Sequence, residues 1–354
     1  MPKITPPATI GILYLGGTIG CAGTPLAPLN AATFLPHLQH AIETHVPNST
    51  RHTWHFIAGT IKDSSALVPE DWAEMLAILL APLHAHINHW IILHGTDTLA
   101  YSAAFLAAAL AGSRLKVVIS GSQLPLLDPQ SLAVNQDSDA LPNLKTSVAA
   151  LQDRATNGWV AVAFNHHTWL ASSVQKIHSQ HRQAFSGQVP LRALHDDPHS
   201  LTQTPIRHTT TALNPLLNDL SGLKQRLATL NIQIYYASPL PRDIQVAQLI
   251  KVLESDAEAL ILLAYGLGNL PKEPRLVNAL LAAEQRGMMV VLSSQVPFGG
   301  VESRYAAGNW LKQCGVLSAE ELPIAAIFAR LAWLHVSMSR YSDRRKAWLQ
   351  GTIA

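Results

Sequence analysis

Hydrophobic positions in this chain fall in short unbroken runs separated by longer stretches in which they return every three or four residues. Residues 10–15, 90–93, 116–120 and 159–164 are such runs. Near-continuous apolar strands are buried on both faces, as in a parallel sheet. Between them, 69–80 and 98–111 repeat with helical period. The second is rich in alanine and leucine and stops at Gly112, a residue suited to the left-handed conformation that closes a helix. Strand, helix and strand in succession predict parallel pairing through right-handed crossovers.

From about 187 to 230 the periodicity degrades into turn material such as His195-Asp196-Asp197-Pro198 and Asn214-Pro215. A second alternation follows, with strands predicted at 232–236, 259–264 and 288–292 and helices at 243–254 and 274–286. The expected fold class is α/β. A larger N-terminal domain (1–190) holds a mostly parallel sheet flanked by helices, a linker covers 191–230, and a smaller C-terminal α/β domain spans 231–354. The 354 residues suit two domains at roughly 100–200 residues each.

Composition narrows the classes. Hydrophobic residues make up 48% of the chain, enough for a core in each half. The net charge is only +2 and no long Lys/Arg run occurs, which argues against a nucleic-acid partner. The cluster Asp343-Arg344-Arg345-Lys346 reads as a solvated helix face. Apolar runs such as 259–264 are far shorter than the ~20 residues that cross a bilayer, so no membrane partner is expected. The proline-rich start, Met1 to Thr9, does not read as a signal peptide, and the expected location is cytoplasmic. Two cysteines, Cys21 and Cys314, make neither a disulfide framework nor a zinc spacing. His84, His86 and His89, and the pair His166-His167, are the rival metal ligands. The first group reads as a surface turn ahead of the strand at Trp90, and no metal is expected.

Three polar clusters stand where strands end, the place where open α/β sheets bind ligands. Gly16-Gly17-Thr18-Ile19-Gly20 follows the first strand. Its paired glycines allow a sharp turn and a close approach, and its spacing does not fit a dinucleotide fingerprint. His94-Gly95-Thr96-Asp97-Thr98 joins the strand at Trp90 to the next helix. Capping of that helix accounts for one hydroxyl or carboxylate there, but not for three in succession. Asp97 is also suited to bind the ammonium of an amino-acid ligand. Asp63-Ser64-Ser65 precedes Pro69-Glu70-Asp71-Trp72 and by itself reads as a polar loop.

Taken together, these clusters resemble the bacterial-type L-asparaginase family, and more closely its cytoplasmic type I branch. The two threonine motifs match its signature motifs in order and spacing, and Asp63-Ser64-Ser65 matches its substrate loop. Gly121-Ser122-Gln123-Leu124-Pro125-Leu126, Ser138-Asp139 and Asn143-Leu144 resemble later segments of its large domain. Tyr265-Gly266-Leu267-Gly268-Asn269 and Tyr305-Ala306-Ala307-Gly308-Asn309 resemble motifs of its small domain. The resemblance implies hydrolysis of L-asparagine to L-aspartate and ammonia without metal or organic cofactor. Thr18 is then the nucleophile, and Thr96 a second essential threonine linked to Asp97 and Lys176. Asp63, Ser64, Ser65, Thr96, Asp97 and Asn269 bind substrate. A homodimer or homotetramer is implied as well, with Asn269 contributed to a neighbour's site. Substrates of the same class, such as glutamine or another asparagine-like amide, and a catalytically weak amino-acid-binding role are the alternatives.

The sequence departs from the family in three places. The loop after the first motif carries Leu26 about where the family has a tyrosine that activates the nucleophile, and no tyrosine occurs between Tyr14 and Tyr101. Tyr14 and Tyr305 are the substitutes nearest by motif, with a bound water as the third possibility. Leu170-Ala171-Ser172-Ser173-Val174 lacks an arginine usual before the lysine. Residues 127–137 read as an insertion.

Overall fold

The computed structural model describes residues 7–152, 159–187, 215–302 and 306–351. The chain divides into two compact units, and on the described residues the boundary falls between Lys224 and Gln225.

In the first unit, β1 (Thr9–Gly16) leads into a short antiparallel hairpin, β2 (Cys21–Ala22) with β3 (Ala27–Pro28). Then come α1 (Ala31–His45), β4 (Thr53–Lys62), α2 (Pro69–Leu79), β5 (His89–Leu93) and α3 (Leu99–Ala109). β6 (Lys116–Ser120), α4 (Ala140–Gln152), β7 (Val160–Phe164) and β8 (His167–Leu170) complete the main layers. β9 (Val174–Lys176) and β10 (Phe185–Gly187) form a separate antiparallel pair.

The main sheet runs β4-β1-β5-β6-β7-β8, parallel throughout except for the antiparallel β7–β8 edge. The predicted mostly parallel sheet is thus borne out. Alternate residues of each strand feed opposite faces. Ile10, Ile12, Tyr14, Ile91, Leu93, Val118, Ala161 and Ala163 share one core with Phe34, Leu38, Ala41 and Ile42 of α1. Across the sheet Gly11 makes room for the Trp90 indole, which would lie 2.6 Å from a Cβ at that position.

α1 and β4 are among the elements that the hydrophobic pattern does not predict. α1 contains Pro36 and several His and Gln, which blur its hydrophobic period, yet Asn30 Oδ1 accepts the Thr33 amide at 2.9 Å to start it. β4 mixes His, Thr and Gly with apolar residues because it is an edge strand and only partly buried.

The described part of the stretch read as a linker holds a 3-10 turn, Pro215–Asn218, and a helix, α5 (Leu220–Ala228). Residues 191–214 lie outside the described residues. The second unit then alternates β11 (Ile232–Tyr236), α6 (Arg242–Leu253), β12 (Ala259–Ala264), α7 (Pro274–Gln285) and β13 (Met289–Ser294). α8 (Ala306–Gln313), β14 (Leu317–Ser318), α9 (Ile324–Ser337) and α10 (Tyr341–Leu349) follow. Its four strands are parallel and lie in chain order. Leu260, Leu262, Val290 and Leu292 face α6 and α7, while Ile261, Leu263 and Val291 face α9 and α10. The basic cluster on α10 is not simply solvated. Arg344 Nη1 donates to the Met338 and Ser339 carbonyls, each at 3.1 Å, and Arg345 Nη1 to the Gly315 carbonyl at 2.7 Å.

The loop after β6 is tied to the start of α4. The buried Asp139 carboxylate accepts the amides of Gln123 at 3.0 Å and Leu124 at 3.0 Å and the Asn143 Nδ2 at 3.1 Å. Asn143 Nδ2 also donates to Gly121 O at 2.9 Å, and its Oδ1 accepts the Asn165 amide at 2.7 Å. Removing one member leaves several donors short of a partner. Asp139→Ala should therefore destabilise the protein by about 2 kcal/mol or more in urea denaturation. A change within about 0.5 kcal/mol, the range of ordinary surface substitutions, would refute this role.

Candidate active site

β4 and β5 lie on opposite sides of β1. The connection leaving β1 and the one leaving β5 therefore diverge, which opens a crevice at the carboxyl ends of these two strands. The two threonine motifs occupy its two sides.

β1 ends in two residues with left-handed backbone, Gly16 (φ 96°) and Gly17 (φ 81°). Gly17 starts a single 3-10 turn, Thr18–Gly20, closed by the Gly20 amide on the Gly17 carbonyl at 3.1 Å. A Cβ on Gly17 would stand 2.5 Å from both the Cα and the amide nitrogen of Gly95. A Cβ on Gly95 would stand 2.5 Å from Ser64 Oγ and 3.3 Å from the Gly17 Cα. Two of the predicted polar clusters thus meet backbone to backbone, the third reaches them through the Ser64 side chain, and only glycine fits at either contact. Thr18 is half-buried beside this contact.

Capping of α3 does not account for the second cluster. Thr98 is the N-cap residue of α3, yet its side chain makes no capping bond. Its hydroxyl donates instead to the Ser64 carbonyl at 2.8 Å, while the Asp97 amide donates to Ser64 Oγ at 3.2 Å. Ser64, read as a substrate contact, is buried and joins the two loops. Asp63 Oδ1 accepts both the amide and the hydroxyl of Ser65, each at 2.9 Å. These bonds hold the Asp63 carboxyl below the usual carboxylate range, so it is ionised at neutral pH.

Lys176, eighty residues from Thr96 in sequence, ends β9. Its Nζ lies 2.9 Å from Thr96 Oγ1 and 2.7 Å from Asp97 Oδ1. Thr96 is buried, whereas the Asp97 side chain is 58% exposed. So exposed a pair contributes little to stability. Its effect is to point an amine at a hydroxyl. Asn269 belongs to the second unit, on a turn beyond β12 where it exchanges backbone hydrogen bonds with Tyr265 at 2.8 and 3.1 Å. It is not among the side chains that meet within the first unit.

Tyr14 is committed elsewhere. It is fully buried, its hydroxyl donates to the Leu29 carbonyl at 3.1 Å, and burial raises its pKa well above the ordinary tyrosine value. A hydroxyl locked onto a backbone carbonyl does not serve as the proton acceptor for Thr18. Tyr305 lies outside the described residues. Leu26 sits 50% exposed on the β2–β3 turn.

Sequence reasoning missed a buried relay under the site. His94 is fully buried, with Nδ1 2.7 Å from the Gly95 carbonyl and Nε2 2.9 Å from Ser102 Oγ. Trp72 Nε1 donates to the same Ser102 Oγ at 3.0 Å. A carbonyl only accepts and an indole only donates, so the proton sits on Nδ1, and Ser102 donates to Nε2. Desolvation lowers the His94 pKa to about 4, so the ring is neutral at physiological pH. No spacing rule connects Trp72, His94 and Ser102, because they come from α2, the β5–α3 loop and α3.

The histidine groups do not converge. Among the described residues no group of three or more His, Cys, Asp or Glu is placed to hold a metal. His84 Nδ1 bonds the Ile78 carbonyl at 2.8 Å, His86 faces His55 at 3.5 Å, and His167 stacks on Trp169. Nor is any helix among the described residues long and apolar enough to cross a membrane.

Residues 9–207 match the family described as Asparaginase, N-terminal, and residues 232–347 the Glutaminase/Asparaginase C-terminal domain. The L-asparaginase 1 of Escherichia coli K12 is 27% identical over 340 residues, covering 92% of this chain and 91% of that protein. The crystal structure of L-asparaginase I from Vibrio cholerae superposes with a TM-score of 0.72 at 24% identity, covering 96% of each chain. A probable cytoplasmic L-asparaginase from Campylobacter jejuni gives 0.70 at 20% identity, covering 97% of this chain and 99% of that one.

The buried histidine makes the fold acid-sensitive in a definite window. An unfolded histidine takes its proton near pH 6.5, whereas folded His94 resists it until about pH 4. Stability is therefore complete above pH 6.5 and is lost as the pH falls towards 4, by on the order of 3 kcal/mol from this group. In His94→Asn the amide retains a donor towards the Gly95 carbonyl but does not titrate. Its stability should fall less than the parent's between pH 7 and pH 4 in denaturant titrations. Parallel pH profiles for the two proteins would rule the assignment out.

Proposed function

The chain belongs to the asparaginase family of amidohydrolases, and from that premise we propose that it hydrolyses L-asparagine to L-aspartate and ammonia with Thr18 as nucleophile. The observation that carries this reading is the backbone contact of Gly17 with Gly95, which brings the Thr18 turn beside Thr96, with Lys176 Nζ 2.9 Å from the Thr96 hydroxyl. A threonine hydroxyl is a weak nucleophile until a base removes its proton. Thr18 Oγ1 attacks the side-chain carbonyl carbon, the amide nitrogen leaves as ammonia, and a threonyl ester of aspartate forms. Water then attacks the ester and restores the hydroxyl.

Leu26 has no group to carry a proton and Tyr14 is bonded to the Leu29 carbonyl, so we assign the proton of Thr18 to water held against the Thr96–Lys176 pair. Lys176 takes up that proton as it gives one to the departing amide nitrogen, which leaves as ammonia, and Asp97, 2.7 Å away, holds the amine in place. Asp63 and Asp97 supply the negative charge that suits the substrate's ammonium, while Ser65 hydrogen-bonds Asp63 and Ser64 spaces the loops.

A homodimer or homotetramer is the assembly proposed, with Asn269 completing a neighbour's site; closed symmetric assemblies are the commonest form of soluble homo-oligomers. We place the protein in the cytoplasm, in keeping with two buried and unpaired cysteines, Cys21 and Cys314.

Coupled ammonia assays test the assignment. Thr18→Ala and Thr96→Ala should each lower kcat by roughly 10³-fold or more, and Lys176→Met by about 10²–10⁴-fold, with circular dichroism unchanged. Asparagine should be preferred to glutamine, since an extra methylene is worth about 1–3 kcal/mol of discrimination. Normal turnover in folded Thr18→Ala would remove the nucleophile. A collapse in Tyr305→Phe, with Lys176→Met active, would give the base to Tyr305. Calorimetric binding of aspartate with no ammonia released by the parent would leave an amino-acid-binding protein.

A further inference from the structure

The insertion at 127–137 is an ordered hairpin rather than a slack loop. Leu126 and Leu127 run antiparallel to Val134 and Asn135: Leu127 bridges Val134, and the Asn135 amide donates to the Leu126 carbonyl at 2.9 Å. Leu126 and Leu127 are buried in the core of the first unit, with Leu132 and Val134 packed against it. The tip is shaped by one side chain. Asp128 Oδ1 accepts the Gln130 amide at 3.1 Å, the Ser131 amide at 2.8 Å and the Ser131 hydroxyl at 2.9 Å. An aspartate that bonds backbone amides two and three residues ahead fixes the turn that it starts. The turn leaves the Pro129 carbonyl facing out, where it accepts the Gly23 amide at 3.1 Å.

Gly23 opens the turn of the β2–β3 hairpin, five residues beyond Thr18. Every residue from Gly23 to Pro28 is exposed, so no apolar burial holds that turn in place. Its base is held where the Leu29 amide donates to the Gly20 carbonyl at 2.8 Å and by Tyr14 on the Leu29 carbonyl. At its tip, the tie to another segment is the Pro129 carbonyl. At the other end of the insertion, Arg182 Nη2 donates to the Asp137 carbonyl at 2.7 Å, which links it to the segment that follows Lys176.

We propose that Asp128 is a positioning residue for the reaction at Thr18, acting through the insertion as a brace that holds the β2–β3 hairpin at a set place beside the nucleophile. A hairpin whose tip carries leucine contributes by position and by excluding water, and both require it to stay put. The inference rests on the proposed function for its catalytic part and on geometry alone for the brace.

Amide hydrogen exchange at Gly23, together with kcat and KM, separates the two parts. Asp128→Ala should speed Gly23 exchange by about tenfold or more, while Asp128→Asn, which keeps the Oδ1 acceptor, should behave as the parent. Asp128→Ala should also lower kcat/KM by about tenfold, and Asp128→Asn should restore it. Pro129→Ala keeps the carbonyl and should change neither. Excising 128–133 and joining Leu127 to Val134 through Asn-Gly, a turn suited to two paired residues, removes the brace even if Asp128→Ala fails to fold. Unchanged Gly23 exchange after the excision overturns the brace. Faster exchange with unchanged kcat/KM overturns the positioning role. Faster exchange in a protein whose parent releases no ammonia from asparagine keeps the brace and defeats the proposed function instead.

Discussion

The threonine loops of the first unit depend on the backbone contact between Gly17 and Gly95. Two strands that end side by side put their following loops within reach, but reach alone does not let the loops touch. A methyl group on either glycine would meet the other loop, or Ser64, at about 2.5 Å. The left-handed φ of Gly17 bars other residues a second time. Without that contact the Thr18 turn and the Thr96–Asp97 segment would stand a side chain further apart. A shift of about 1 Å at reacting groups is enough to cost a reaction much of its rate.

Around that contact, the groups that hold the loops differ from the groups to which we assign the chemistry. His94, Ser102 and Trp72 fix the Gly95 carbonyl from below, and Ser64 joins two loops from the side. Asp139 and Asn143 hold the next loop along the sheet. All of them are buried, so breaking any one leaves a polar group without water or partner, and the arrangement is held firmly. Lys176 and Asp97 lie nearer the solvent, where a salt bridge contributes little to stability.

The hairpin beside Thr18 shows a different solution to the same problem. It has almost no buried surface at its tip, so hydrogen bonds of the Tyr14 hydroxyl, the Leu29 amide and the Pro129 carbonyl set its place. Tyr14 illustrates how a residue type misleads without coordinates. A tyrosine four residues from Thr18 is near in sequence, but its strand position sends the ring into the core against Phe34, at 4.5 Å between centroids.

The sequence by itself determined the fold class and most central strands, because a strand buried on both faces must be apolar along its whole length and therefore announces itself. It also determined which residues gather at the strand ends, since Gly-rich turns and clustered hydroxyls have few other uses in such a position. It did not reveal α1 or β4, where Pro36 and a half-exposed edge break the hydrophobic period. Tertiary structure alone decided that Ser64 is a spacer and that His94 is neutral, and it set Lys176 on Thr96 across eighty residues, a link that the family resemblance implied and no spacing shows. Those properties belong to pairs of residues distant in sequence, and burial and distance arise only once the sheet has brought them together.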